Sequence, residues 1–308
     1  MILKRRQLAP PRQTTGRERR WLDPNKGLLK MFERDIDFAV SRYVYPHLLG
    51  IWNPYSWILL NRFSLAEVSV APPRWPTGLA PLKILLLSDI HTGIFLKPEV
   101  LAQIVQSLMD IKPDIVAVVG DIVTGRPSEL ETSLNALAPL ARAPLGAWFC
   151  YGNHDYFGPD SWRIQDSLDS IGIRTLRNES VVLTHGGGNF IIGGLDDLIL
   201  GKPDWNVLLA KHGVPHLLLA HHPDFFYQAV RRRVALTLSG HTHGGQIRPR
   251  WSPPLVRHSE FCLDEGAYVH EHSMLVVSRG LGSVGLPLRY GADPEAVLIN
   301  VQAAAKQP

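Results

Sequence analysis

The chain has 308 residues, 45% of them hydrophobic and 19% charged, with a formal net charge of +4. That is enough apolar material for one large core with appended elements, so one catalytic domain plus an extension is the expected organisation. Two cysteines exclude a disulfide framework, leaving at most a single bridge, and there is no low-complexity tract and no internal repeat.

The first 80 residues differ in character from the rest. They carry 13 Lys and Arg against 6 Asp and Glu, a net of +7, so the remainder is 3 negative by subtraction from the whole-chain +4. Lys4-Arg5-Arg6 invites a twin-arginine export reading, but Pro, Arg, Gln and Thr follow it instead of an apolar stretch, so no cleaved signal peptide is expected. Between Arg42 and Arg62 lie 19 uncharged residues that include Tyr43, Tyr45, Trp52, Tyr55 and Trp57. Pro46, His47, Asn53 and Pro54 interrupt that span, which argues against a membrane crossing. Two readings stay open: rings and basic residues of positions 1–70 lying on an anionic membrane surface, or an N-terminal arm packed on the catalytic domain. Nucleic acid is disfavoured as a partner because the basic residues are dispersed among acids.

From residue 81 the pattern alternates. It predicts strand 82–89, helix 98–110, strand 114–120, helix 129–141, strand 146–152 and helix 160–171, the βα alternation of a layered α/β domain. Short strands follow at 173–176, 180–184, 189–194, 216–221, 234–240, 274–279 and 296–301, with helices near 203–212 and 223–231. Gly186-Gly187-Gly188 lies between two strands with no helix after it, so it reads as a hairpin turn and not a phosphate cradle. Cys150 sits in the apolar run Gly146 to Tyr151 and is expected to be buried; Cys262 sits in a polar loop. The loop from about 248 to 272 holds Arg248, Arg250, Trp251, Arg257, His258 and Tyr268, which could offer phosphate-binding cations and an aromatic wall or simply be solvated. Residues 302–308 form a short tail.

Five short signatures follow apolar runs: Ser88-Asp89-Ile90-His91, Gly120-Asp121, Gly152-Asn153-His154-Asp155, His221, and Gly240-His241-Thr242-His243. Taken singly, each is an ordinary turn or an ordinary histidine. Together they gather carboxylate, imidazole and amide oxygen at the ends of apolar strands, where a cation would satisfy them. Asp89 with His91 and His241 with His243 are i,i+2 pairs, so if each closes a strand both members face one side of the sheet. Gly120 and Gly152 allow the sharp turns and close approach that such a site needs.

The order and wording of these segments resemble the calcineurin-like metallophosphoesterases, and within them the YaeI/YkuE-like phosphodiesterases. The strings Leu-Leu-Ser-Asp-Ile-His, Gly-Asn-His-Asp, His-His-Pro-Asp, Ser-Gly-His-Thr-His-Gly-Gly-Gln and Ser-Arg-Gly-Leu-Gly carry the likeness, which covers roughly residues 81–301. It implies a sandwich of two mixed β-sheets flanked by helices. It implies one metal held by Asp89, His91 and His243, another by Asn153, His221 and His241, and Asp121 bridging them, with His221 preferred to His222. His154 resembles the catalytic histidine beside the metals, and Asp155 its orienting partner. Thr124 stands where one subgroup, the purple acid phosphatases, has a metal-binding tyrosine, which argues against a tyrosinate-iron centre.

The expected cofactor is therefore two divalent ions, manganese first, with iron, zinc, cobalt or nickel also suited to nitrogen and oxygen donors. Two cations about 3.5–4 Å apart lower the pKa of a water and clamp an in-line phosphoryl displacement, so the nucleophile comes from solvent and not from a side chain. The expected activity is phosphodiester or pyrophosphate hydrolysis. By analogy with relatives, the substrate is a small phosphoester or a lipid nucleotide such as UDP-2,3-diacylglucosamine. A cytoplasmic location, with the membrane's inner face as a second site, goes with that reading. The alternative from another class is a protein-binding scaffold on the same fold that has lost its metals; the complete ligand set argues against it.

Overall fold

A computed structural model describes residues 4–14, 54–93, 95–158, 160–249, 253–254 and 257–302. The expectations placed on Tyr43, Tyr45, Trp52, Arg250, Trp251 and residues 303–308 lie outside them. In chain order the elements are β1 (Lys4–Gln7), β2 (Arg12–Gln13), α1 (Pro54–Arg62), β3 (Ser64–Val70), β4 (Leu82–Leu87), α2 (Pro98–Met109) and β5 (Ile115–Val119). Next come α3 (Pro127–Glu131), α4 (Leu134–Leu137), β6 (Ala147–Cys150), α5 (Trp162–Ser170), β7 (Ile173–Thr175), β8 (Glu179–His185), β9 (Gly188–Gly194) and α6 (Trp205–Ala210). The last are β10 (Leu217–Leu219), α7 (Phe226–Arg231), β11 (Leu236–Ser239), β12 (Gly266–His270), β13 (Ser273–Val277) and β14 (Glu295–Val301).

The strands form two seven-stranded sheets, ordered β1-β3-β14-β4-β5-β6-β7 and β2-β12-β13-β11-β10-β9-β8. Both are mixed: β14 runs antiparallel to β4 but parallel to β3, and β12 antiparallel to β13. Side-chain alternation sorts each central strand between two cores. Ile84 and Leu86 of β4 and Ile115, Ala117 and Val119 of β5 meet Leu217, Leu219, Leu236 and Leu238 between the sheets. Their neighbours Leu85, Leu87, Val116 and Val118 pack outward on Leu101, Ile104 and Leu108 of α2 and Ile164 and Leu168 of α5. On the far side of the second sheet, Leu218 packs with Trp205, Leu208 and Ala229, and Leu275 and Val277 with Phe226 and Val230. Strands buried on both faces read as continuous apolar runs, which is why β5 is Ile-Val-Ala-Val-Val.

Two local outcomes differ from the sequence expectations. The helix expected over 129–141 is broken into α3, α4 and a 3₁₀ turn, Ala138–Arg142, and Pro139, which has no N–H to continue the ladder, marks the end of α4. The stretch 248–272 is not all loop, since β12 carries the buried Ala267 and Tyr268. The basic residues Lys4 to Arg6 lie in β1 beside Ser64 to Ala66, and β3 lies between β1 and β14, so the first sheet runs across residue 80 without a break. Of the described rings of the N-terminal aromatic span, Tyr55 is fully buried and Trp57 is 62% exposed. The Gly186-Gly187 turn joins β8 to β9 with both residues at positive φ, as a tight hairpin requires.

Candidate metal centre

The signature residues sit just past the carboxyl ends of five strands: β4, β5 and β6, neighbours in the first sheet, and β10 and β11, neighbours in the second. Crossover connections leave that edge open, so polar loops from both sheets converge there. The strand-alternation argument for the i,i+2 pairs does not hold. β4 ends at Leu87 and β11 at Ser239, and Asp89, His91, His241 and His243 all lie beyond them at φ between 47 and 69°. Asp121 joins them at φ 52°. Left-handed backbone costs a non-glycine residue roughly 1–2 kcal/mol, and its concentration here is how a functional site stores strain. Glycines make the close approach possible. A Cβ on Gly120 would lie 2.5 Å from His221 Nδ1, and one on Gly282 would lie 2.7 Å from the Cβ of His91.

Two triads result, Asp89–His91–His243 and Asp121–His221–His241, all buried, each with one potential ligand atom per residue within 4.8 Å of the others. Asp121 Oδ2 lies 3.2 Å from His221 Nε2 and 3.8 Å from His91 Nε2, which puts this carboxylate between the triads. Asp89 Oδ1 lies 3.4 Å from His243 Nε2 and 4.0 Å from His221 Nε2. Asn153 Oδ1 is buried and has no hydrogen-bond partner. His222 is also buried, but its ring lies against that of His241 (4.3 Å between centroids) and its Nδ1 accepts from the Asp224 N–H.

The donor chemistry fits a cation. His221 Nδ1 donates to the Val119 carbonyl at 2.8 Å, which leaves Nε2 as the ring's lone-pair nitrogen, and that atom is buried without a hydrogen-bond partner opposite a carboxylate. Two lone-pair bearers facing one another need a proton or a metal between them. Burial opposes a charged His221, yet Asp121 and Asp89 outweigh it and lift the imidazole to about 10. Burial alone would raise Asp121, but His221 and His154 hold it below the ordinary carboxylate range. Burial and the positive charge of neighbouring groups push His91 and His243 well down, so both are neutral imidazoles, the form that ligates metal. Burial raises Asp89 to about 6.

His154 is partly buried, its ring set edge-on to His91 at 4.8 Å. Its partner is not Asp155. His154 Nδ1 lies 2.7 Å from the carbonyl of Thr124, which can only accept, so the ring donates there and Nε2 remains its other polar atom. The Asp155 carboxylate is fully buried and accepts from the backbone N–H groups of Asp121, Ile122 and Gly152 at 2.8 Å and of Val123 at 3.3 Å. It therefore clamps the Asp121 loop to the Asn153 loop. Burial and the Asp121 charge lift it to about 8, against the pull of those four donors.

Sequence reading missed Arg289. It is fully buried, donates to the carbonyls of Gly282 (2.8 Å) and Arg279 (2.7 Å), and places Nη2 2.9 Å from His243 Nδ1. No motif marks it; the signal nearest to it is Ser-Arg-Gly-Leu-Gly at 278–282, whose glycines press on Asp89 and His91. Both cysteines are free, Cys150 buried and Cys262 exposed.

The family model for calcineurin-like phosphoesterases matches residues 82–245. The chain is 31% identical over 273 residues to an uncharacterized metallophosphoesterase, YkuE of Bacillus subtilis, covering 86% of this chain and 90% of that one. It is 32% identical over 236 residues to the phosphodiesterase YaeI of Escherichia coli, covering 72% and 83%. Among solved structures, a dimetal phosphatase from Danio rerio overlaps 65% of this chain and 87% of its own, with 14% identity and a TM-score of 0.38.

Proposed function

The chain belongs to the calcineurin-like phosphoesterase family, and from that premise we propose that it is a phosphodiesterase or pyrophosphate hydrolase working with two divalent ions, manganese by preference. Asp89, His91 and His243 would hold one ion, Asn153, His221 and His241 the other, and Asp121 both. The observation that carries this reading is the buried 3.2 Å approach of His221 Nε2 to Asp121 Oδ2, flanked by the unpartnered Asn153 Oδ1. Bound there, a metal pair supplies Lewis acidity, lowering the pKa of a water and neutralising charge on the phosphoryl oxygens. His154 then meets the departing oxygen through Nε2, with its ring held in place by the Thr124 carbonyl, and protonates it as the ester bond breaks. Asp155 keeps the Asp121 and Asn153 loops in register while charge moves.

Hydrolysis of bis(p-nitrophenyl) phosphate beside p-nitrophenyl phosphate, by chelated protein restored with manganese and with Asp121→Ala as control, tests the reading. Metal-dependent turnover favouring the diester supports it. A protein that retains no metal after dialysis points to the scaffold alternative.

A lipid-linked pyrophosphate presented at an anionic membrane is the finer reading of the substrate. The basic N-terminal residues support it, as do the exposed Trp57, Leu60, Leu286, Leu288 and Tyr290, which lie on two segments joined by the Arg62 hydrogen bond to the Arg289 carbonyl. Among the described residues no helix is long and apolar enough to cross a membrane. Sedimentation with anionic vesicles, lost when residues 1–70 are removed, is the expected result; equal sedimentation of both forms would count against it.

A further inference from the structure

Besides His91 and the Thr124 carbonyl, His154 meets the ring of Phe157, with centroids 4.5 Å apart and planes 54° apart. Resting on the phosphoesterase reading and on the leaving-group role it gives His154, we propose that Phe157 is a positioning residue. It fixes the tilt of the His154 ring, and with it the place from which Nε2 reaches the departing oxygen.

Local geometry puts the two rings together. Residues His154–Tyr156 form a 3₁₀ turn, closed by the Phe157 N–H donating to the His154 carbonyl at 3.1 Å. Side chains three apart in such a turn eclipse, so position 157 lies over position 154. The turn is fastened at two points. Asp155 takes the backbone donors of the Asp121 loop, and the Tyr156 hydroxyl donates to the buried Asp196, whose carboxylate also accepts from the Asp197 and Lys202 N–H groups at 2.9 and 2.8 Å. Gly158 then turns the chain at φ 93°, where a Cβ would lie 3.9 Å from the Gly125 carbonyl oxygen. Phe157 thus adjoins the segment that offers the Thr124 carbonyl, and Glu129 holds that segment by accepting from the Thr124 and Gly125 N–H groups at 2.9 Å. One hydrogen bond does not orient an imidazole. Histidine's χ2 is broad and a donor tolerates about 30° of misalignment, so a ring pinned at Nδ1 alone could still swing Nε2 on its far side. A flat apolar face removes that freedom without competing for the proton that Nε2 gives to the ester oxygen as the P–O bond breaks. Phe157 is half-buried and lies outside the hydrophobic cores described above, whereas Tyr156 packs against the first of them, so the fold itself asks little of the Phe157 ring.

The test compares wild type, Phe157→Ala, Phe157→Tyr, His154→Ala and the Phe157→Ala, His154→Ala double variant, each loaded with manganese. Metal content is measured, with kcat and KM on bis(p-nitrophenyl) phosphate and on diphenyl phosphate, whose leaving group is the poorer. Phe157→Ala is expected to keep its metal and a KM within about threefold, while kcat falls about tenfold on the first substrate and further on the second, where protonation of the departing oxygen matters more. Phe157→Tyr keeps the flat ring and should recover most of the loss. Added to His154→Ala, Phe157→Ala should change nothing more, because the ring acts through that imidazole. Wild-type kcat in Phe157→Ala overturns the inference. So does a loss that adds in full to that of His154→Ala, or loss of bound metal, which would make the ring a support of the Asn153 turn. With wild type turning over, each of these leaves the phosphoesterase reading standing. Full turnover by His154→Ala sinks the leaving-group role and this inference together, and a wild type without metal or turnover sinks the phosphoesterase reading as well.

Discussion

Asp155→Ala separates two roles that one carboxylate could play. As a clamp, Asp155 satisfies four buried backbone donors, three at 2.8 Å and one at 3.3 Å. A buried N–H left without an acceptor costs about 1–3 kcal/mol, and water entering the vacated volume offsets part of that. The variant is therefore expected to lose roughly 3–5 kcal/mol, a large share of the 5–15 kcal/mol that holds a typical domain folded. Asp155→Asn keeps one acceptor oxygen but turns an NH₂ toward donors, and is expected to lose nearly as much. Urea unfolding of the chelated protein, followed by its tryptophan fluorescence, reads this directly. Were Asp155 instead the orienting partner of His154, the variant would be nearly as stable as wild type and as inactive as His154→Ala. A loss under about 1 kcal/mol together with that activity defect would refute the clamp.

His154→Ala is expected to keep its metal and lose turnover by a factor of about 10²–10⁴, whereas Asp121→Ala loses bound metal as well; metal analysis after dialysis distinguishes them. Stability of the chelated protein should depend on pH in a stated direction. His221 is lifted from 6.5 to about 10, so the folded state holds a proton that the unfolded chain releases, and the stabilisation is complete below about 6.5 and lost as pH rises through about 10. Asp155, lifted to about 8, acts with the same sign. Between pH 7 and 9 the chelated protein should lose roughly 1 kcal/mol per pH unit through His221, with a similar contribution from Asp155 only up to about pH 8, and manganese should flatten the slope by taking the proton's place; a chelated protein that grows more stable over that range would contradict the assignment. Tyr55→Phe removes the donor shared between the Leu281 and Gly282 carbonyls at 2.5 and 2.7 Å and is expected to cost about 1–2 kcal/mol by denaturation.

The site was more legible in sequence than the body that holds it. Asp89, His91, Asp121, Asn153, His221, His241 and His243 announce themselves because their loops follow apolar strands and contain the glycines that close contact demands. Their mutual orientation was not legible, since it depends on left-handed backbone at Asp89, His91, Asp121, His241 and His243, a conformation that no period-2 pattern encodes. The Asp155 role was hidden for a related reason. A carboxylate one residue from a histidine suggests a side-chain pair, but its actual partners are main-chain donors more than 30 residues away as well as one nearby.

The N-terminal elements show what local pattern leaves out. Ser64–Val70 is strand-like in composition, yet its neighbours are β14, more than 200 residues later, and β1, about 60 residues earlier, so its place in the sheet is a property of the whole chain. The helix before it matters to the site through one atom. Tyr55, buried enough that its hydroxyl is pushed up to about 12, bonds the carbonyls of Leu281 and Gly282, and Gly282 lies against His91 while Arg289 bonds the same Gly282 carbonyl and touches His243. Helix α1 and the loop behind the first triad therefore share hydrogen bonds, and a change on α1 that shifts Tyr55 must move the backbone supporting His91 and His243. On this argument the region before residue 80 has a part in the geometry of the centre, whatever it does at a membrane surface.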